Sequence, residues 1–272
     1  GCRQMLWGYF KKIVIADGCA GLTNVLFANC RDYLGSELLL GAFLYSIQIY
    51  ADFSGYSDLA IGCGKLFGIR LMKNFDNPYF ATNISDFWRR WHISLTTWFR
   101  DYVYIPLGGS RCSLLKQMRN VFVVFLVSGF WHGAAWTYVA WGGVHACLFM
   151  PLMLLNIARK KPRKSLACLG WALTFSCVML AWVFFRSASF PIVVDYLSVL
   201  FSGSLFAIPR HCMSMLPWAF ACLLIEWLQR KKTHAMEITR FPKLVRWSVY
   251  LSISVICISY QQRNSEFIYF QF

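Results

Sequence analysis

The sequence predicts an all-α polytopic membrane protein, and three observations predict it. Of the 272 residues 58% are hydrophobic, 18% aromatic and only 14% charged, a balance more apolar than a soluble domain of this length carries. Apolar runs recur at about 38–50, 121–155, 166–185, 213–227 and 247–260, several of them near the ~20 residues a helix needs to cross ~30 Å of hydrocarbon. Alternating β-barrel patterning is not visible, so helices must satisfy the backbone in lipid.

The formal charge of +15 would suit nucleic acid, but the basic residues fall in short clusters between apolar runs, ARKKPRK at 158–164 and QRKK at 229–232. That is a positive-inside pattern: both loops are expected to face the cytoplasm, with 187–211 outside or in the outer interface, and no nucleic-acid partner is expected. The eleven cysteines are scattered without a C-x-x-C pair or zinc-like spacing, so they read as small apolar filler and no metal is expected.

Along the chain, Gly1 opens amphiphilic sequence with no signal peptide before it, and the expectation is that N-terminal spans are missing. Residues 45–62, YSIQIYADFSGYSDLAIG, are apolar enough to enter a membrane yet carry Gln48, Asp52, Ser54, Ser57 and Asp58. A lipid-facing helix would not tolerate that density, so these side chains are expected to line a protein interior or a wet cavity. An interfacial loop with solvated carboxylates is the alternative. GCGKLFG at 62–68 lacks the order of a phosphate-binding loop.

Residues 77–111, NPYFATNISDFWRRWHISLTTWFRDYVYIPLGGSR, are bracketed by breakers at Pro78 and Gly108-Gly109. Ser85 or Asn83 caps one helix, in which Ile84, Phe87, Trp88, Trp91, Leu95, Trp98, Phe99 and Tyr102 recur at helical spacing. Asp86, Arg89, Arg90, Thr96, Thr97, Arg100 and Asp101 take the opposite face, the pattern of a helix lying in the membrane interface. His92 sits at the edge of the apolar stripe, where a packed structural role and a catalytic one are both open.

Of the five histidines, His211 and His234 fall in loop contexts that predict exposure. His132, in SGFWHGAAW at 128–136, lies inside an apolar run, where an ionisable group is a functional candidate by default. Burial favours its neutral form, which accepts protons, so the residue is a candidate general base. Gly129 and Gly133 flank it and leave room for a substrate or for another backbone. His145 is thirteen residues on, with no carboxylate to complete a metal site, and no G-x-S-x-G elbow offers a serine nucleophile. Bases outnumber nucleophiles, which favours direct transfer between a bound donor and a bound acceptor.

YADFSGYSDLAIG, the 77–111 segment, VSGFWHGAAWTYVAWGGVHA and the closing FIYFQF together resemble the membrane-bound O-acyltransferase superfamily. The likeness is to the bacterial alginate O-acetyltransferase branch, itself similar to the D-alanyl transfer protein of teichoic acid modification. Motif by motif, the resemblance implies that the superfamily's histidine is His132 in FWHG, beside Trp131. Its upstream partner is then His92 in RRWHISL, forty residues earlier. It also implies a ring of helices around a central tunnel, no bound cofactor, and an acyl thioester such as acetyl-CoA as donor substrate from the cytoplasm. The acceptor is a hydroxyl on the periplasmic side of a bacterial inner membrane, on alginate or a related cell-surface polysaccharide. Periplasmic acyl-acceptor or acetyltransferase proteins and membrane lipid are the implied partners.

In this reading His132 takes the proton of the attacking hydroxyl and His92 orients the donor carbonyl or stabilises its oxyanion. His145, Asp52, Asp58 and Trp131 are supporting candidates, and Arg89, Arg90 and Arg100 attract the anionic donor or anchor the chain by charge. Relatives carry additional spans before the region resembling GYFKKIVIADGCA at 8–20, so residues 1–272 are read as one domain, the C-terminal part of a longer family domain. Two rival readings are a transporter or export component with Asp52 and Asp58 along its path, and a non-catalytic scaffold of a polysaccharide secretion complex.

Overall fold

The computed structural model describes residues 1–157, 164–211 and 214–260. Among the described residues the chain is helical, with no strand. In order it forms α1 (Cys2–Phe10), α2 (Asp17–Ala28), α3 (Gly35–Leu66), α4 (Ile84–Arg90), α5 (Ile93–Phe99) and α6 (Leu114–His132). There follow α7 (Trp136–Leu154), α8 (Ala167–Arg186), α9 (Phe190–Leu200), α10 (Leu216–Gln229) and α11 (Lys243–Tyr260). Two compact units result, one from Gly1–Lys73 with Ser198–Phe272 and the other from Asn74–Leu197.

In the first unit α1 runs through a π-helical turn, Lys11–Ala16, into α2. α1 packs along the 32-residue α3, and glycines on each helix let their backbones approach. A Cβ on Gly8 would lie 2.6 Å from the Gly55 carbonyl oxygen, and a Cβ on Gly55 2.8 Å from that of Gly8. Small residues at a helix crossing are the usual means of close packing where lipid supplies no hydrophobic drive. Glu37 caps the start of α3 by accepting from the Leu34 N–H at 3.0 Å, and its other oxygen accepts from the backbone of Arg210 and His211, both at 2.9 Å.

Of the carboxylates expected to face an interior, Asp52 does so and Asp58 is half-buried, and both pair with lysines of the π-helical turn. Asp52, Gln48, Ser54 and Ser57 are all buried. Lys11, itself buried, sits 2.7 Å from Asp58 and 3.4 Å from Glu226 and donates to Ser54 Oγ at 2.9 Å. Lys12 bridges Asp52 at 2.7 Å and Asp17 at 3.0 Å. The π turn is what brings consecutive lysines toward one set of acids on α3, and insertions of this kind recur at functional or strained places in helices.

In the second unit α6 and α7 form a tight hairpin. A Cβ on Gly129 would collide with the Tyr138 carbonyl oxygen, and one on Gly142 with that of Phe125. Gly129 therefore serves backbone approach between helices, one of the two readings its position allowed. α8 packs on the 78–82 segment, where the Trp171 indole donates to the Tyr79 carbonyl at 2.7 Å.

Three sequence expectations need correction. The single helix expected after residue 83 is broken: Asn83 does cap α4, accepting from the Asp86 N–H at 2.8 Å, but the chain leaves the helix at Trp91 and His92 before α5 begins. Its apolar stripe is not continuous either, since Trp98 and Tyr102 are exposed while Phe87, Trp88 and Trp91 are buried. His234, expected in solvent, is half-buried, whereas His211 is exposed and holds Glu37 at 2.9 Å.

α7 and α8 are the two helices among the described residues long and apolar enough to cross a membrane. The 121–155 run is divided between α6 and α7, and α10, with 14 residues, extends only ~21 Å. The basic loop at 158–163 and the closing FIYFQF lie outside the described residues.

Candidate active site

His92 owes its position to the break between α4 and α5. It occupies the left-handed region at φ 43°, ψ 57°, which histidine tolerates better than bulkier or β-branched residues. A strap at 74–76 satisfies the backbone groups the break releases. The Ile93 N–H donates to the Asn74 carbonyl at 3.0 Å, the Ser94 N–H to Asn74 Oδ1 at 3.1 Å, and the Asp76 N–H to the Arg90 carbonyl at 2.9 Å. Phe75 then meets Trp91 edge-on at 5.1 Å, so both Trp91 and His92 turn into the protein. His92 is 9% exposed, and burial pushes its pKa down to about 4, leaving a neutral imidazole at pH 7.

His132 is the last residue of α6 and is 8% exposed. Its ring meets Trp131 at 4.9 Å, Phe185 at 5.1 Å and Trp141 at 5.3 Å, each near edge-to-face. The helix end is where the peptide dipoles favour positive charge, so a proton taken up there is stabilised. His92, forty residues upstream, is near enough to His132 to act on it electrostatically.

His145 is fully buried among aromatic rings, with Trp88 at 4.9 Å and Trp141 at 5.0 Å. The Trp88 indole N–H donates to His145 Nδ1 at 3.3 Å. An indole nitrogen can only donate, so Nδ1 accepts and the ring proton sits on Nε2.

The remaining candidates divide by environment. Trp131 is 55% exposed and covers one side of His132. Arg89 and Arg90 pair with Asp86 at 3.5 and 2.9 Å, while Arg100 pairs with exposed Asp101 at 2.7 Å. Asp52 and Asp58 belong to the first unit with their lysine partners, whereas the three histidines belong to the second. Sequence reasoning missed Lys11, Lys12 and Glu226, although paired lysines inside an apolar segment and a lone acid in the 213–227 run were signals to look for partners. It also missed Trp182 and Phe185, which α8 sets against Trp141 at 5.7 Å and His132 at 5.1 Å.

Residues 37–194, more than half of the chain, match the sequence profile of the membrane-bound O-acyltransferase family. The chain belongs to the membrane-bound O-acyltransferase family. Both His92 and His132, with His145, fall within the matched residues. The chain is 44% identical over 202 residues to the probable alginate O-acetylase of Pseudomonas aeruginosa, covering 74% of this chain and 38% of that protein. It is 45% identical over 181 residues to the peptidoglycan O-acetyltransferase of Helicobacter pylori, covering 66% of this chain and 34% of the relative. To the teichoic acid D-alanyltransferase of Bacillus subtilis it is 38% identical over 157 residues, 54% of this chain and 39% of that one. The chain thus spans about two fifths or less of these relatives' lengths. Among the described residues no group of three or more His, Cys, Asp or Glu is arranged to hold a metal ion.

Proposed function

We propose that this chain carries the acyl-transfer centre of a membrane-bound O-acyltransferase that moves an acetyl group onto a cell-surface polysaccharide, alginate or a related polymer. The observation that carries the reading is that His92 and His132 are both buried and interact electrostatically within the family-matched region. The acceptor hydroxyl oxygen bonds to the carbonyl carbon of the acyl thioester as its proton passes to His132, the C–S bond breaks, and the thiolate leaves with that proton. His92, neutral at pH 7, has one ring N–H to offer the carbonyl oxygen as charge builds there.

The donor in this reading is acetyl-CoA reaching the site from the cytoplasm, and the acceptor lies on the periplasmic side of a bacterial inner membrane. Passage between the two sides runs through a tunnel within a ring of helices that crosses the membrane several times. α7 and α8, which are apolar enough to span, and the relatives' names as acetyl- and alanyltransferases support it. Periplasmic proteins that carry the acetyl group onward complete the proposed system. Arg89, Arg90 and Arg100 serve anchoring, since each already has an acidic partner.

Membranes containing the chain and supplied with labelled acetyl-CoA and acceptor polymer test the proposal. Label is expected in the polymer and lost with His132→Ala; equal labelling by that variant rejects it. A transporter would move polymer or donor without transferring label, and the pairing of Asp52 with Lys12 and of Asp58 with buried Lys11 suits packing better than permeation.

A further inference from the structure

In hydrocarbon, a buried N–H without an acceptor has no solvent to fall back on, and native structures leave few such groups without a reason. The two spanning helices carry three of them side by side. Trp141 Nε1 and His145 Nε2 on α7 and Trp182 Nε1 on α8 are buried and have no hydrogen-bond partner in the protein. Their rings lie close together: Trp141 to His145 at 5.0 Å, Trp141 stacked on Trp182 at 5.7 Å, and His145 to Trp182 at 6.4 Å. His132 meets the same Trp141 ring at 5.3 Å.

All three groups are donors. The two indoles cannot accept, and the Trp88 bond to Nδ1 fixes the His145 proton on Nε2. A set of neutral donors in a dry setting beside a proton-accepting histidine suits an oxygen that gains negative charge during reaction.

Resting on the acyl-transfer reading above, we infer that Trp141, His145 and Trp182 form a donor-only site for the carbonyl oxygen of the acyl group. As the hydroxyl oxygen bonds to the carbonyl carbon, the C=O electron pair moves onto this oxygen, where the N–H groups hold it together with His92. When the carbonyl re-forms, the C–S pair leaves on sulfur, which takes the proton held by His132. Trp141 and Trp182 thereby gain a role that no sequence motif assigned them.

The test replaces each indole by phenylalanine, which removes the N–H and keeps an aromatic ring. Trp141→Phe and Trp182→Phe, made in the full chain, are expected to lower kcat for acetyl transfer about tenfold or more while KM changes little. The second readout is the infrared carbonyl band of acetyl-CoA labelled with 13C at the carbonyl, bound to the His132→Ala chain so that transfer does not consume it. The band is expected at lower frequency than in water-free solvent and to move upward when either indole is also removed. Unchanged kcat and band in folded Trp141→Phe/Trp182→Phe chain overturn the inference, and so does a lower kcat with an unmoved band, since the indoles then serve packing. If His132→Ala itself consumes the label, the acyl-transfer reading has failed instead, and the two failures are told apart.

Discussion

Lys11→Met examines the buried charge network around the π-helical turn. The Lys11 side chain is 3% exposed, with its ammonium 2.7 Å from Asp58 and 3.4 Å from Glu226, whose side chains are 18% and 7% exposed. Methionine matches the length and removes the charge, which leaves two carboxylates facing each other's field without a cation. Breaking a buried ion pair by deleting one partner costs about 3–5 kcal/mol, because the desolvated partner remains. At ~1.4 kcal/mol per decade, the unfolded fraction should rise at least a hundredfold. Each acid keeps one neutral donor, Gln4 on Asp58 and the Tyr50 hydroxyl on Glu226, but Glu226 has less solvent, so adding Glu226→Gln to Lys11→Met should recover more stability than adding Asp58→Asn. Reversible unfolding of the purified chain in mixed micelles, followed by tryptophan fluorescence, measures each variant. Lys11→Met unfolding within ~0.5 kcal/mol of the parent would refute the idea that this lysine neutralises buried acids.

Two further outcomes follow from the second unit. Gly142→Ala should destabilise the α6–α7 hairpin by ~1–3 kcal/mol and lower transfer, because its new Cβ meets the Phe125 carbonyl; Gly143→Ala, whose Cβ would find only Leu126 at 3.8 Å, should be tolerated. Equal thermal stability of the two variants would contradict the close packing. His92 has a folded pKa of about 4 against an ordinary 6.5, so its neutral form is the one the fold favours. Its contribution, ~3 kcal/mol at ~1.4 kcal/mol per pH unit, is whole above pH 6.5 and is lost as pH falls from 6.5 to 4. His92→Gln should flatten stability across that window, and an unchanged pH profile would reject the assignment.

The parts of the architecture that could be read from sequence are those set by local pattern. The run at 166–185 became α8 almost residue for residue, and the polar set from Gln48 to Ser57 turned inward as its cost in lipid required. The apolar setting singled out His132 and the resemblance of the flanking motifs added His92, and both side chains are buried. The break at Trp91–His92 was hidden because its cause is tertiary: a strap more than a dozen residues upstream supplies the bonds, the Asp76 N–H to the Arg90 carbonyl where α4 ends and Asn74 to the Ile93 and Ser94 N–H groups where α5 starts. The lysine partners of Asp52 and Asp58 were hidden because pairing depends on a π turn that hydrophobic periodicity does not report. The Trp88–His145 bond joins residues fifty-seven apart and had no sequence signal.

Single-turnover transfer from labelled acetyl-CoA by His132→Gln tests the proposed role of His132 as the proton acceptor in acyl transfer. Glutamine keeps much of the ring's size and a polar end but cannot take the hydroxyl proton. A rate lower by ~10²–10⁴ is expected, with the variant folded and the donor still bound. Transfer at the parental rate would contradict it.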